Sequence, residues 1–164
     1  MKEKLKAFLV PKLSTPYFVR VAAVAIFSYI FFSMVLTPFF IRGKSMEPTF
    51  HDGSFNFILK QRYAFSPPKR GDVVAIRLAG EKVFLLKRVI AVAGDTVAIK
   101  NGRLFINLKP VSEPYLNGPC DWNLPPRKVE VGNIYVIGDN RSMPMEYHDF
   151  GQVSLERVVG APLW

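Results

Sequence analysis

VAAVAIFSYIFFSMVLTPFFI, residues 21–41, is the stretch that divides this chain. Its 21 residues carry no charge, and only Ser28, Ser33, Thr37 and Pro38 interrupt it. A bilayer core takes about 20 apolar residues as helix, so the run is long enough to span one. The alternatives are a buried core helix and a cleaved signal peptide. The apolar part of a cleaved signal runs only about 7–15 residues and ends on small side chains. Leu36 to Phe40 is bulky, which favours an uncleaved anchor over 21–41. Residues 1–20 hold Lys2, Lys4, Lys6, Lys12 and Arg20 against Glu3 alone. The positive-inside rule then makes 1–20 a basic cytoplasmic segment and leaves everything after Ile41 outside the membrane.

Downstream of Arg42 the pattern turns to short strands and tight turns. Phe55, Phe57 and Leu59 alternate within 54–60, while 72–78 and 82–93 are rich in valine, isoleucine and leucine. Asn101-Gly102 separates strands over 96–100 and 103–107 and is the strongest hairpin signal in the chain. Residues 109–128 hold Pro110, Pro114, Pro119, Pro125 and Pro126 and read as a long loop. Strands over 133–137 and 153–159 follow, and no segment of convincing helical period appears. The expected fold is mostly β: one transmembrane helix, then a compact all-β extracytoplasmic domain over 42–164.

The whole chain agrees with that division. Its 164 residues suit one domain with a core, 49% are hydrophobic, and the formal charge is +9. Such a charge suits anionic lipid or nucleic acid equally well. No nucleic-acid motif is present, so the membrane surface is the expected partner and nucleic acid is not. Cys120 is the sole cysteine, which excludes an internal disulfide, and neither His51 nor His148 has a ligand-spaced companion. No metal and no cofactor are expected.

Two residues carry possible chemistry. Ser45 lies in Gly43-Lys44-Ser45-Met46-Glu47-Pro48-Thr49-Phe50, just past the apolar run. Lys87 lies in Val83-Phe84-Leu85-Leu86-Lys87-Arg88-Val89-Ile90, a strand apolar on both sides. Burial disfavours an ammonium and lowers its pKa, and a neutral lysine is a competent base for a hydroxyl. Alone, each residue has an ordinary reading: strand lysines snorkel to water, and serines are common in loops.

In order with two other segments they resemble a known family. Ser45-Met46-Glu47-Pro48-Thr49 resembles the serine box of the type I signal peptidases, and Lys69-Arg70-Gly71-Asp72-Val73-Val74 their next block. Lys87 to Asp95 resembles the lysine box, and Gly138-Asp139-Asn140-Arg141 with Gly151 the last. The resemblance implies a Ser-Lys variant of serine acyl chemistry. Ser45 would be the nucleophile, Lys87 the general base and later proton donor, and the Ser45 backbone N–H the oxyanion donor. Some members carry a serine two positions before the nucleophile as a second donor; Gly43 stands there and supplies none. The family takes small residues at the first and third positions before the cut, the A-x-A pattern. Ile41, Met46, Phe50 and Leu86 are the candidate pocket walls, and plain β-core packing is their alternative.

The last segment departs from the family. It reads Ser142-Met143-Pro144-Met145-Glu146-Tyr147-His148-Asp149-Phe150-Gly151. Pro144 stands where the family has a serine bonded to the lysine, and Ser142 is the candidate substitute. Glu146 and His148 replace an aspartate and an arginine and are expected to keep a pH-dependent pair. Asp139 and Arg141 are expected to pair in support of the site. The implied protein is an inner-membrane endopeptidase that removes signal peptides from secreted preproteins, with the secretion translocon a possible partner. The alternatives are a specialised peptidase maturing a pilin or conjugation protein, and a silent homologue that binds preproteins without cutting.

Overall fold

A computed structural model describes residues 14–78, 84–116 and 118–163. Two compact units result, one ending at Leu36 and one running from Thr37. The first holds helix α1, Thr15–Met34, with a proline at its first turn where the missing N–H costs nothing. Its mean hydropathy is 1.7 and its length, ~30 Å at 1.5 Å per residue, suits a membrane crossing. The helix therefore lies earlier than the expected 21–41. Arg20 falls inside it, and Leu36–Phe40 is instead an extended strand, β1. Pro38 explains the stop, because a proline removes a helix donor and its ring disfavours the helical conformation of the residue before it.

The second unit is built from strands. They are β2 (Phe55–Leu59), β3 (Val73–Arg77), β4 (Phe84–Val92), β5 (Thr96–Lys100), β6 (Arg103–Ile106), β7 (Lys109–Pro110), β8 (Leu124–Lys128), β9 (Asn133–Ile137), β10 (Gly151–Ser154) and β11 (Val158–Pro162). The larger sheet runs β1-β2-β11-β3-β4-β9-β10 and the smaller β7-β6-β5-β8. Asn101 and Gly102 both adopt left-handed φ, 48° and 73°, which makes the β5–β6 turn the tight one expected from that pair. Lys82 and Val83, expected to begin β4, lie outside the described residues.

Two loop and strand expectations need correction. Residues 109–128 are not one loop, since β8 carries Pro125 and Pro126 on an edge of the smaller sheet. An edge tolerates a missing N–H, so the prolines do not forbid a strand there. Residues 153–159 are not one strand either: β10 and β11 are separated by a 3₁₀ turn at Leu155–Arg157, which the Ser154 side chain caps. After α1, the helical turns among the described residues are short 3₁₀ segments.

Three apolar clusters hold the sheets. Ile90, Ala91, Tyr135 and Ile137 of the larger sheet pack with Val97, Ile99, Leu104, Ile106 and Leu124 of the smaller. Val74, Ile76, Val89, Ile134 and Val136 form a second cluster. Ile41, Met46, Ile58, Ala75 and Leu86 form a third, and this one underlies the loop that bears Ser45.

Candidate active site

Ser45 is held in the β1–β2 connection by a closed frame of backbone bonds. Ile41 N donates to Ser54 O at 2.9 Å, Gly53 N donates to Ile41 O at 2.8 Å, and Gly43 N donates to the Asp52 carboxylate at 2.8 Å. Gly43 sits at φ 89°, where a side chain would be strained. Met46 is buried in the cluster beneath, so the turn is anchored on both sides of the serine while Ser45 itself stays half-buried.

Lys87 comes from β4, in register with Val74 of β3, and is 2% exposed. Its Nζ lies 3.0 Å from Ser45 Oγ, across 42 positions of sequence. Burial lowers its pKa, opposed by the negative charges of Asp149 and Asp139. Desolvation wins, so the amine is readier to be neutral than an ordinary lysine.

A chain of ionic contacts runs beside this pair. Arg88 donates to Asp139 from Nε at 2.8 Å and from Nη2 at 2.6 Å, and Thr49 Oγ1 donates to the same carboxylate at 2.6 Å. The Arg88 guanidinium also lies 4.0 Å from the centre of the Tyr115 ring. Tyr115 Oη donates to Glu113 at 2.6 Å, and Glu113 accepts Arg141 Nη2 at 2.7 Å. Arg141 Nε returns to the Gly138 carbonyl at 2.8 Å. Asp139 and Arg141 are thus not each other's side-chain partners: Arg88 takes the first and Glu113 the second. Arg88, Glu113 and Tyr115 were not anticipated. Arg88 stands next to Lys87 in sequence, but nothing in the proline-rich segment marks Glu113.

The last segment behaves differently from expectation. The 3₁₀ turn Met145–Tyr147 leaves Glu146 exposed while the chain straightens into His148, which is buried. Neither His148 ring nitrogen bonds to Glu146, so no Glu146–His148 pair forms. Its ring packs edge-on against Trp122 at 4.7 Å. Burial and the Lys87 charge push its pKa down to about 4. Ser142 does not replace the missing hydroxyl at Lys87, because its Oγ donates to Asn140 Oδ1 at 2.7 Å. Pro144 is exposed.

Beside Ser45 lies a narrow cavity of about 20 Å³ lined by Phe39, Ile41, Gly43, Met46, Phe84 and Leu86, among others. Of the candidate pocket walls, Ile41, Met46 and Leu86 line this cavity. Phe50 is not among the lining residues and packs against the cluster below. Phe39 and Phe84 take its place. On β4, residues 84–87 pair with β3, whereas the pairing with β9 begins at Arg88.

Comparison with known proteins follows the same lines. Residues 14–163 match the family described as signal peptidase, peptidase S26. Signal peptidase I of Bacillus licheniformis is 36% identical over 139 residues, covering 78% of this chain and 75% of that protein. Signal peptidase I T of Bacillus subtilis strain 168 is 36% identical over 134 residues, covering 75% and 69%. A crystal structure of a signal peptidase I from Enterococcus faecalis V583 aligns with TM-score 0.46 and 28% identity, over 57% of this chain and 95% of that one.

Proposed function

Because this chain belongs to the signal peptidase family, peptidase S26, and is a signal peptidase I-like serine peptidase, we propose that it cuts signal peptides with a Ser45–Lys87 dyad while anchored in a membrane by α1. The observation that carries the dyad is the 3.0 Å contact between Lys87 Nζ and Ser45 Oγ at a lysine 2% exposed. No histidine or carboxylate is needed if the amine is neutral.

The reaction proceeds from that geometry. Neutral Lys87 takes the Ser45 hydroxyl proton as Oγ attacks the scissile carbonyl. The oxyanion of the tetrahedral intermediate is met by the Ser45 N–H. Lys87, now an ammonium, gives its proton to the leaving amine, and an acyl-enzyme remains on Ser45. Water then attacks, Lys87 takes its proton, and Oγ leaves and is reprotonated. The signal peptide is released with a free carboxylate.

The substrate adds as a strand along Phe84–Leu86, the part of β4 that β9 does not cover. The narrow cavity beside Ser45 favours small side chains before the cut, in keeping with an A-x-A preference. The N-terminal segment stays in the cytoplasm and the β unit faces outward, at an inner (plasma) membrane. Lipid is then a partner of the anchor, and the preprotein reaches the site after the translocon.

The test is cleavage of a preprotein with an A-x-A site by the detergent-solubilised chain, with Ser45→Ala alongside. A cut after the second alanine, absent in the variant, supports the reading. A folded protein that leaves this substrate intact overturns general signal peptidase activity and returns the specialised and silent alternatives.

A further inference from the structure

The Ser45 N–H is the one donor assigned to the oxyanion, and Gly43 adds no hydroxyl beside it. Its aim is set by the plane of the Lys44–Ser45 peptide. The bond is trans, so the Lys44 carbonyl and the Ser45 N–H project to opposite sides. Whatever holds the carbonyl therefore points the donor.

Asn140 holds it. Its Nδ2 donates to the Lys44 carbonyl at 3.0 Å, and its backbone N–H donates to the Ser45 carbonyl at 3.0 Å. The carbonyls on both sides of the oxyanion donor are thus gripped by one residue from 96 positions away. A second, local bond runs from Glu47 N to Lys44 O at 3.1 Å. The Asn140 amide is itself oriented: Ser142 Oγ donates to Oδ1 at 2.7 Å, which leaves Nδ2 facing Lys44. The position needs an acceptor for the serine and a donor for the carbonyl at once, and a primary amide supplies both.

We infer that Asn140 is a positioning residue for the oxyanion site: with Ser142 behind it, it fixes the Lys44–Ser45 peptide so that the Ser45 N–H faces the tetrahedral intermediate. The inference rests on the Ser45–Lys87 reading. It also gives Ser142 a role other than the one the missing serine at 144 suggests.

The test uses the full chain in detergent and an A-x-A peptide substrate. Losing an oxyanion donor costs about 10²–10³ in kcat, and Asn140→Ala only loosens one while Glu47 still holds the carbonyl, so a drop of about ten- to thirtyfold in kcat is expected. KM should stay within about twofold, because the ground-state carbonyl depends less on the donor. Asn140→Asp sets a carboxylate against a carbonyl oxygen and should lose about a hundredfold. A peptide aldehyde, which forms a tetrahedral adduct on Ser45, should weaken in parallel with kcat/KM, while the matching peptide alcohol should bind unchanged.

Wild-type kcat in both Asn140 variants overturns the inference, as does an equal weakening of aldehyde and alcohol. If Asn140→Ala does not fold, Ser142→Ala carries the same comparison with a smaller loss, and equal weakening there overturns it too. Ser45→Ala is run in parallel. Activity surviving in Ser45→Ala removes the dyad itself, whereas an inactive Ser45→Ala beside fully active Asn140 variants removes only the positioning role.

Discussion

Gly138 lies so close to Ser45 that a Cβ at 138 would overlap the Ser45 carbonyl oxygen, and it would press on His148 Cε1 at 3.2 Å. Neither the carbonyl nor the buried ring is a flexible end that can swing aside. Gly138→Ala should therefore displace the serine turn. Misplacement on the scale of an ångström costs about a hundredfold in rate, and kcat/KM against the A-x-A peptide measures it. An alanine variant with wild-type turnover would show the contact to be soft.

The proposed dyad predicts a set of variants that differ in kind. Ser45→Ala and Lys87→Met should each lower turnover by about 10³-fold or more, with the circular dichroism of the β unit retained. Methionine is chosen because it matches the lysine stem in length and carries no base. Lys87→Arg should fail equally, since a guanidinium stays charged. Turnover in the arginine variant would sink the general-base assignment.

Activity should depend on pH through Lys87. The amine must be neutral to accept the Ser45 proton, and burial places its titration below the ordinary 10.5. The acid limb of kcat/KM should accordingly rise with pH and level off before ordinary lysines titrate. Asp149→Asn removes a negative charge that favours the ammonium, so it should shift that limb toward lower pH. A shift toward higher pH would contradict the electrostatics.

His148 predicts how stability depends on pH. The charged groups near it are Lys87 and Arg141, which oppose its protonation, and Asp149, which favours it, with the Asn140 backbone also favouring the proton. Its pKa falls from 6.5 in the free side chain to about 4 in the fold. Between those values the unfolded chain binds more protons, so stability is complete above about 6.5 and is lost as pH falls toward 4. His148→Leu should flatten that slope in denaturant melts. It should also leave neutral-pH stability within about 1 kcal/mol, because the ring is held mainly by packing against Trp122, which an apolar side chain of similar volume can keep.

Asp139 is fully buried and answers both Arg88 and Thr49. Removing one partner of a buried ion pair costs about 3–5 kcal/mol, because the other charge is left uncompensated. Asp139→Ala should lose stability on that scale, read as a shift in the urea midpoint at an unchanged slope. Restoring most of it with Arg88→Met in the same chain would confirm that the orphaned guanidinium is the cause.

The sequence makes some of this legible and hides the rest for physical reasons. Asn101-Gly102 needs left-handed backbone at both positions, so a local signal decided the β5–β6 hairpin. Ser45 and Lys87 are plain residues individually, and only their order among the family's segments marks them. β8 was hidden because proline signals a loop, whereas a sheet edge accepts it. The ion-pair partners were hidden because pairing is a tertiary choice. Arg88 and Arg141 both find carboxylates, but Asp139 sits with the first and Glu113, from a segment with no pattern, with the second. Glu146 and His148 look like partners because they stand at the family's aspartate and arginine positions, yet the 3₁₀ turn at Met145–Tyr147 leaves one exposed and the other buried.

The place of β11 in the larger sheet makes the site a long-range construction. Ser45 belongs to the β1–β2 hairpin and Lys87 to the β3–β4 hairpin, and β11 is the seam that joins β2 to β3. That seam is made of residues 158–162, distant in sequence from both hairpins, so its contacts raise the contact order. A nascent chain in which both hairpins have already emerged still lacks the strand that lies between them in the sheet. Until residues 158–162 join the sheet, the hairpins that bear Ser45 and Lys87 have no strand between them.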